Sequence, residues 1–355
     1  MHSILASLGN IFDQYPEPVF FMEGSAIGYE NAAGRALHGT ESPLPIPPDL
    51  LQTGSLQRQR VTWENHAFWV DVTPLEGGHL LILRSQNDAQ NREQEAMGRL
   101  AEQLRSRLAT LTATTESLAS ALKKNCDYDE FQRPLAVQLQ SICQLLHLAR
   151  QMELLHHDWP VEYPKHPLDL GLLCAQLTRE AADLADSCEV SFLYDCKEDL
   201  VPVFGSELLL SRMLLALIAN SVRAAGPNGR AGLRLTVRRD QAQIAVWDSG
   251  PGIPPQQLER LFQLSNAQGL PNPGEGAQLG LYLAREIALY HGGALLSSNR
   301  HKTGAELLIS LPLYQDGAIS LRSPNMAAPA ESFSPTLIAL SDALPWQVFA
   351  QLLNE

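Results

Sequence analysis

Apolar and polar positions change period along this chain, and each change marks a new element. From Met97 the apolar side is carried by Met97, Ala101, Leu104, Leu108, Leu111, Thr115, Leu118 and Leu122. Those intervals alternate four and three, which predicts a helix with one apolar seam. Asn125-Cys126-Asp127-Tyr128-Asp129 interrupts it. A second apolar helix is expected from about Phe131 to Leu155, using Leu135, Leu139, Ile142, Leu146 and Ala149. Two such helices form an antiparallel hairpin whose seam needs a partner, and two hairpins make a four-helix bundle. The pattern therefore predicts a homodimer through residues 97–155.

On either side the pattern is mixed. Before the hairpin, Leu8 to Tyr15 reads as a short helix, and Val19 to Met22 as a strand followed by a second short one. Glu30 to Gly39 reads as a helix, and the proline-rich 43–48 as a loop. Gln57 to Trp63, Ala67 to Thr73 and His79 to Arg84 read as strands, with turns at Glu64-Asn65-His66 and Glu76-Gly77-Gly78. After the hairpin, Pro160, Pro164 and Pro167 mark a boundary. Leu168 to Ser187, Leu208 to Ala224 and Leu279 to His291 read as helices. Strands are expected at Val190 to Tyr194, Pro202 to Phe204, Ala294 to Ser298 and Ala305 to Leu311. Gly232 to Arg239 and Gln243 to Asp248 alternate and pair as a hairpin across Asp240-Gln241. Helices on one face of such a sheet make an α/β sandwich. Residues 315–334 read as a linker, and the apolar end, from Leu337 to Leu353, as one or two short helices docked on the body or on a partner.

The domain organisation that follows is 1–85, 86–160, 161–314 and 315–355, within the two or three domains that 355 residues suggest. The net charge of −13 argues against a general nucleic-acid binder, which needs a basic face. Five cysteines, at 126, 143, 174, 188 and 196, form no C-x-x-C pair and read as inert thiols in a reducing compartment. Ser211 and Arg212 break the best apolar run, so no membrane span is expected, and a cytoplasmic location is.

The chemistry sits in three ordered pieces. The apolar helical segment Leu214 to Arg223 presents one amide side chain, Asn220. Asp248, Gly250 and Gly252 follow a strand as D-S-G-P-G. Gly276, Leu279 and Gly280 lie in a glycine loop opening a helix. Their order and spacing resemble the ATP-binding domain of sensor histidine kinases. The resemblance implies Mg²⁺ at Asn220, adenine at Asp248, and ATP contacts at Arg223, Gly250, Gly252, Gly276, Leu279 and Gly280. Phe262 fits the family's F box, and Ser265 to Gly276 its mobile lid. The segments Y-P-E-P-V-F-F-M, E-N-A-A-G-R-A-L-H-G and V-D-V-T-P-L-E-G-G-H-L-L-I-L resemble a compact PAS domain, an α+β module that senses a small ligand or dimerises. The hairpin resembles the dimerisation and phosphoacceptor domain, through Leu100, Ala101, Leu104, Arg105 and Leu108.

Several positions depart from that pattern. Glu102 occupies the place of the phosphoacceptor histidine, Gln103 that of the assisting acid, and Arg107 that of a proline. A carboxylate cannot form the phosphoramidate that imidazole forms. Ala216 and Gln278 replace a polar residue and a glycine of the ATP site. No Lys, Arg or His lies between Arg260 and Arg285, leaving Arg223 as the main cation for phosphate. The expectation is a dimeric signalling protein that binds ATP and is defective in autophosphorylation, with a response regulator or partner kinase. Two rivals stay open: an active kinase using another acceptor (His147, His156 or His157) or a mixed dimer, and a structural module without nucleotide.

Overall fold

The computed structural model describes residues 12, 17–24, 26–38, 57–63, 66–75, 78–85, 103–116, 118, 128–156, 159–254, 276–300, 304–315 and 333–353. Glu102, Phe262, the 43–48 loop, the lid up to 275 and most of the 315–334 linker lie outside them. The chain divides into two compact units, Met1–Glu95 and Ala96–Glu355.

The first unit is a five-stranded antiparallel sheet. Its elements are β1 (Val19–Glu23), β2 (Ala26–Glu30), α1 (Ala32–His38), β3 (Gln57–Trp63), β4 (His66–Leu75) and β5 (Gly78–Ser85). The strand order is β2-β1-β5-β4-β3. Phe20, Met22, Phe68, Val70, Val72, Leu81 and Leu83 form its core at alternate positions, so one face of the pleat is apolar. The helix expected from Glu30 starts later, because Asn31 caps it. Asn31 Oδ1 accepts from Gly34 N–H at 2.7 Å and from Val19 N–H at 3.0 Å. Its amide donates to the carbonyls of Phe12 and Glu17.

The second unit begins with α2 (103–116) and α3 (Tyr128–His156), which carries Pro134 inside it. Gln138 Nε2 donates to Thr115 Oγ1 across the pair at 3.2 Å. Then follow α4 (Trp159–Glu162), β6 (His166–Asp169), α5 (Leu170–Asp186), β7 (Ser191–Cys196), β8 (Pro202–Gly205) and α6 (Glu207–Ala225). Next come β9 (Arg230–Arg238), β10 (Gln241–Asp248), α7 (Gly276–Tyr290), β11 (Ala294–Asn299) and β12 (Ala305–Pro312). The main sheet runs β11-β12-β10-β9-β7, antiparallel except for the parallel β7–β9 pair. Helices α5, α6 and α7 cover one face. Along β12 buried and half-buried positions alternate, as a sheet covered on one side requires.

Local chemistry sets the ends of these elements. Asp169 Oδ1 accepts from Gly171 N–H at 2.9 Å and from Val201 N–H at 3.2 Å. That cap starts α5 at Leu170 and leaves Leu168 to the strand β6, which pairs with β8. The β9–β10 turn is Arg239-Asp240, one residue earlier than expected, with Arg239 at φ 52°. α6 is long and apolar enough to cross a membrane by length and composition, yet it is the central core helix, with ten of its residues buried. The four described cysteines, 143, 174, 188 and 196, are free thiols.

The C-terminal end docks on the body. It forms α8 (Pro335–Leu340), capped by Ser334, and α9 (Trp346–Leu352). Leu337, Ile338, Leu340, Leu344 and Phe349 are buried in the core that also holds α3, α5 and α6.

Candidate ATP site

Helix α6 positions the first site residue. Its N-terminus is held by His291, whose Nε2 accepts from Ser206 N–H at 3.0 Å. It ends at Gly226, at φ 64°. Asn220 lies in the last turns, and its amide oxygen accepts from the Arg223 guanidinium. Arg223 is exposed.

Strand β10 ends at Asp248, which is buried. Its Oδ1 accepts from Gly250 N–H at 2.8 Å and from Ala305 N–H at 3.3 Å. Burial raises its pKa, while those two donors and the charge of Arg300 pull the other way. The glycines beside it are sterically required. A Cβ on Gly250 would lie 2.1 Å from the carbonyl oxygen of Ala224, and one on Gly304 1.9 Å from that of Asp248. Gly252 sits at φ 80°. Asn299, at the end of β11, clips the turn: its Oδ1 accepts from Ile253 N–H and its amide donates to Ile253 O, both at 2.7 Å.

Helix α7 opens at Gly276, so Gly280 falls in its second turn. The sequence places Gly280 in the loop that opens the helix. The unpaired N–H groups of that end belong to residues 276–279 instead. A Cβ on Gly280 would stand 3.7 Å from Ala216 Cβ and 3.7 Å from Gln151 Nε2, ordinary contact distances, so sterics alone do not demand glycine there. Leu279 is buried beside it.

Asn220, Arg223, Ala216 and Gly280 line one cavity, together with His147 and Gln151 of α3 and with Ala339, Asp342 and Ala343 of the C-terminal end. Asp248, Gly250 and Gly252 form a second group, joined to the first where Gly250 packs on Ala224. The geometry thus gives a neutral amide oxygen, a guanidinium, a buried carboxylate and close-approach backbone around the end of one helix. Residues 205–315 match the family model of the histidine kinase-, DNA gyrase B- and HSP90-like ATPase. This segment is similar to the ATPase domain of that family.

Curated relatives align with about two thirds of the chain. The adaptive-response sensory kinase SasA of Synechococcus sp. (strain CC9902) is 28% identical over 249 residues, 66% of this chain and 62% of its own length. The sensor histidine kinase RppB of Synechocystis sp. (strain ATCC 27184 / PCC 6803 / Kazusa) is 29% identical over 244 residues, 66% of this chain and 52% of its own length. The chain therefore spans about half to three-fifths of these relatives. The solved Acinetobacter baumannii histidine kinase AdeS is 19% identical, covers 60% of this chain and 98% of its own, and has a TM-score of 0.45.

Four residues in and around the ATPase domain, Asn299, Gly304, Gln151 and Asp342, carried no sequence signal, and His147 was singled out only as an alternative acceptor. Asn299 and Gly304 act on the Asp248 turn from the far strands. His147, Gln151 and Asp342 reach the Asn220 cavity from outside the domain. Gln151 Nε2 lies 2.8 Å from His147 Nε2. An amide nitrogen only donates, so that ring nitrogen is the unprotonated one. Burial lowers the pKa of His147, an effect that the Asp342 carboxylate partly offsets. The expected acceptor position, Glu102, lies outside the described residues, and so does the side chain of His156.

Proposed function

We propose that this chain is a histidine kinase-like signalling protein whose ATPase domain binds ATP·Mg²⁺, and that position 102 does not accept phosphate. The observation that carries the reading is Asp248. Its carboxylate is buried, fixed by two backbone N–H groups, and backed by glycines that admit a close ligand. Such an acceptor suits the exocyclic amine of adenine. The site fits the nucleotide in its donors. Asn220 offers Mg²⁺ a neutral oxygen, and Mg²⁺ takes few protein ligands. Arg223 offers charge to phosphate, and Gly276, Leu279 and their neighbours offer helix-end N–H groups. Gly250 and Gly252 supply room rather than bonds.

On this reading residues 1–85 are a PAS-like sensor, 86–160 a dimerising hairpin, 161–314 the ATPase domain and 315–355 a linker and apolar tail. The chain is a homodimer through 97–155 that passes its state to a response regulator or partner kinase. A cytoplasmic location belongs to the same reading, and the free thiols of the four described cysteines support a reducing compartment. Catalysis of phosphoryl transfer depends on positioned charge and a competent acceptor. Glu102, Gln103, Ala216 and Gln278 each remove part of that. Incubation of the purified chain with γ-labelled ATP is the test: binding without acid-labile label is expected, and Glu102→His alone restores little.

One observation favours a second reading, an active kinase with a displaced acceptor. His147 shares a cavity with Asn220 and Gly280, and one of its ring nitrogens is unprotonated. Acid-labile label that disappears in His147→Gln would establish this reading and end the first.

A further inference from the structure

The C-terminal end is anchored on three elements at once. Thr336 Oγ1 donates to Glu180 Oε2 of α5 at 2.6 Å. Gln140 Nε2 of α3 donates to the carbonyls of Ser341 and Leu344, at 3.0 and 2.9 Å. Arg107 of α2 pairs with Asp342 at 2.6 Å. These anchors hold the α8–α9 turn at the mouth of the Asn220 cavity, where Ala339, Asp342 and Ala343 form one wall. About 20 Å³ is left inside. That is room for about one water, whereas ligand pockets run to hundreds of Å³.

Charge points to the same conflict. The cavity offers Arg223 and the Asn220 oxygen, the groups assigned above to phosphate and its metal. Asp342 brings a carboxylate into that space. A polyphosphate and this carboxylate repel each other, and both cannot fill the same volume. α8 and α9 have six and seven residues. Helices so short do not persist without packing, so the end is ordered by what it docks on. Its polar anchors are the Gln140 bonds, one bond to the Glu180 carboxylate and a half-exposed ion pair, so release has to overcome mainly the apolar contact of Leu337, Ile338 and Phe349.

We propose that the α8–α9 end is an intrachain competitor of nucleotide: docked, it places Asp342 in the phosphate end of the ATPase site and ties that site to α3. The proposal rests on the reading of the site as one for ATP. Binding of ATP·Mg²⁺ then requires the end to leave, and its departure frees the ATPase domain from α3. The chain would report nucleotide through the position of its own C-terminus.

The test compares ATP·Mg²⁺ affinity in three full-length forms. These are the wild type, Asp342→Ala, and a wild type carrying a specific protease site between 316 and 332, cut after folding. The cut form keeps every docking contact, so it serves even if the substitution disturbs folding. Asp342→Ala and the cut form should bind between about fivefold and 150-fold more tightly than the wild type. Amide exchange in 334–352 of the wild type should quicken when ATP·Mg²⁺ is added. Equal affinity in all three forms, with tail exchange unchanged by nucleotide, overturns the competitor and leaves the ATP reading intact. Absence of nucleotide binding in every form overturns both, and that pattern separates the two failures.

Discussion

His291 shows how one side chain fixes a helix that carries a site residue. Its Nδ1–H donates to Ile287 O at 2.7 Å, and its Nε2 accepts from Ser206 N–H at 3.0 Å. The Ser206 bond requires the neutral ring, whereas the Ile287 bond also suits the protonated one and opposes the effect of burial. Burial lowers its pKa from 6.5 to about 4. The unfolded chain therefore takes up a proton near pH 6.5 that the folded chain refuses until about pH 4. The contribution is fully present above 6.5 and is lost as pH falls through that window, by about 3 kcal/mol in all. Urea unfolding at pH 7 and pH 5 should show the wild type losing about 2 kcal/mol from this group. His291→Leu should be less stable at pH 7, because Ser206 N–H loses its acceptor, but should fall less between the two pH values. An equal fall in both would remove His291 from the explanation. At this scale Asp248 and Asn220 were legible because a motif fixes their place. Asn299, Gly304 and His291 were not, because each acts on backbone that is distant in sequence.

At the scale of elements, the period of apolar positions located every described strand and helix of the ATPase domain except β6 and the four-residue α4. Boundaries moved where side chains cap: Asn31 delayed α1 and Asp169 delayed α5. Strand β6 was hidden because it is only four residues long and contains Pro167. The docking of α8 and α9 was legible only as a need, since their apolar residues had to be covered, while the face that covers them is made of α3, α5 and α6 together. Phe349 is fully buried there. Phe349→Ala should cost about 3 kcal/mol, read as a lower urea midpoint. A midpoint within error of the wild type would mean that the end is not part of the cooperative unit.

At the scale of the whole molecule, the sequence divides the chain by function and the fold divides it by contact. Residues 1–95 stand as one unit, and the helices α2 and α3 join the ATPase domain and the C-terminal end in the other. Periodicity alone could not show this, because the helical seam and the helical docking face use the same residue types. Light scattering on the full chain at micromolar concentration should give the mass of a dimer. A monomer would leave the 97–155 seam without its expected partner and would end the four-helix bundle. The central claim, that Asp248 and Asn220 form a nucleotide site, is tested most directly by thermal unfolding with millimolar ATP·Mg²⁺. A ligand that binds only the folded chain raises the melting temperature in proportion to its occupancy. The wild type should show a rise, larger in Asp342→Ala, and Asp248→Asn should abolish it. No rise in either the wild type or Asp342→Ala, or an undiminished rise in Asp248→Asn, would contradict it.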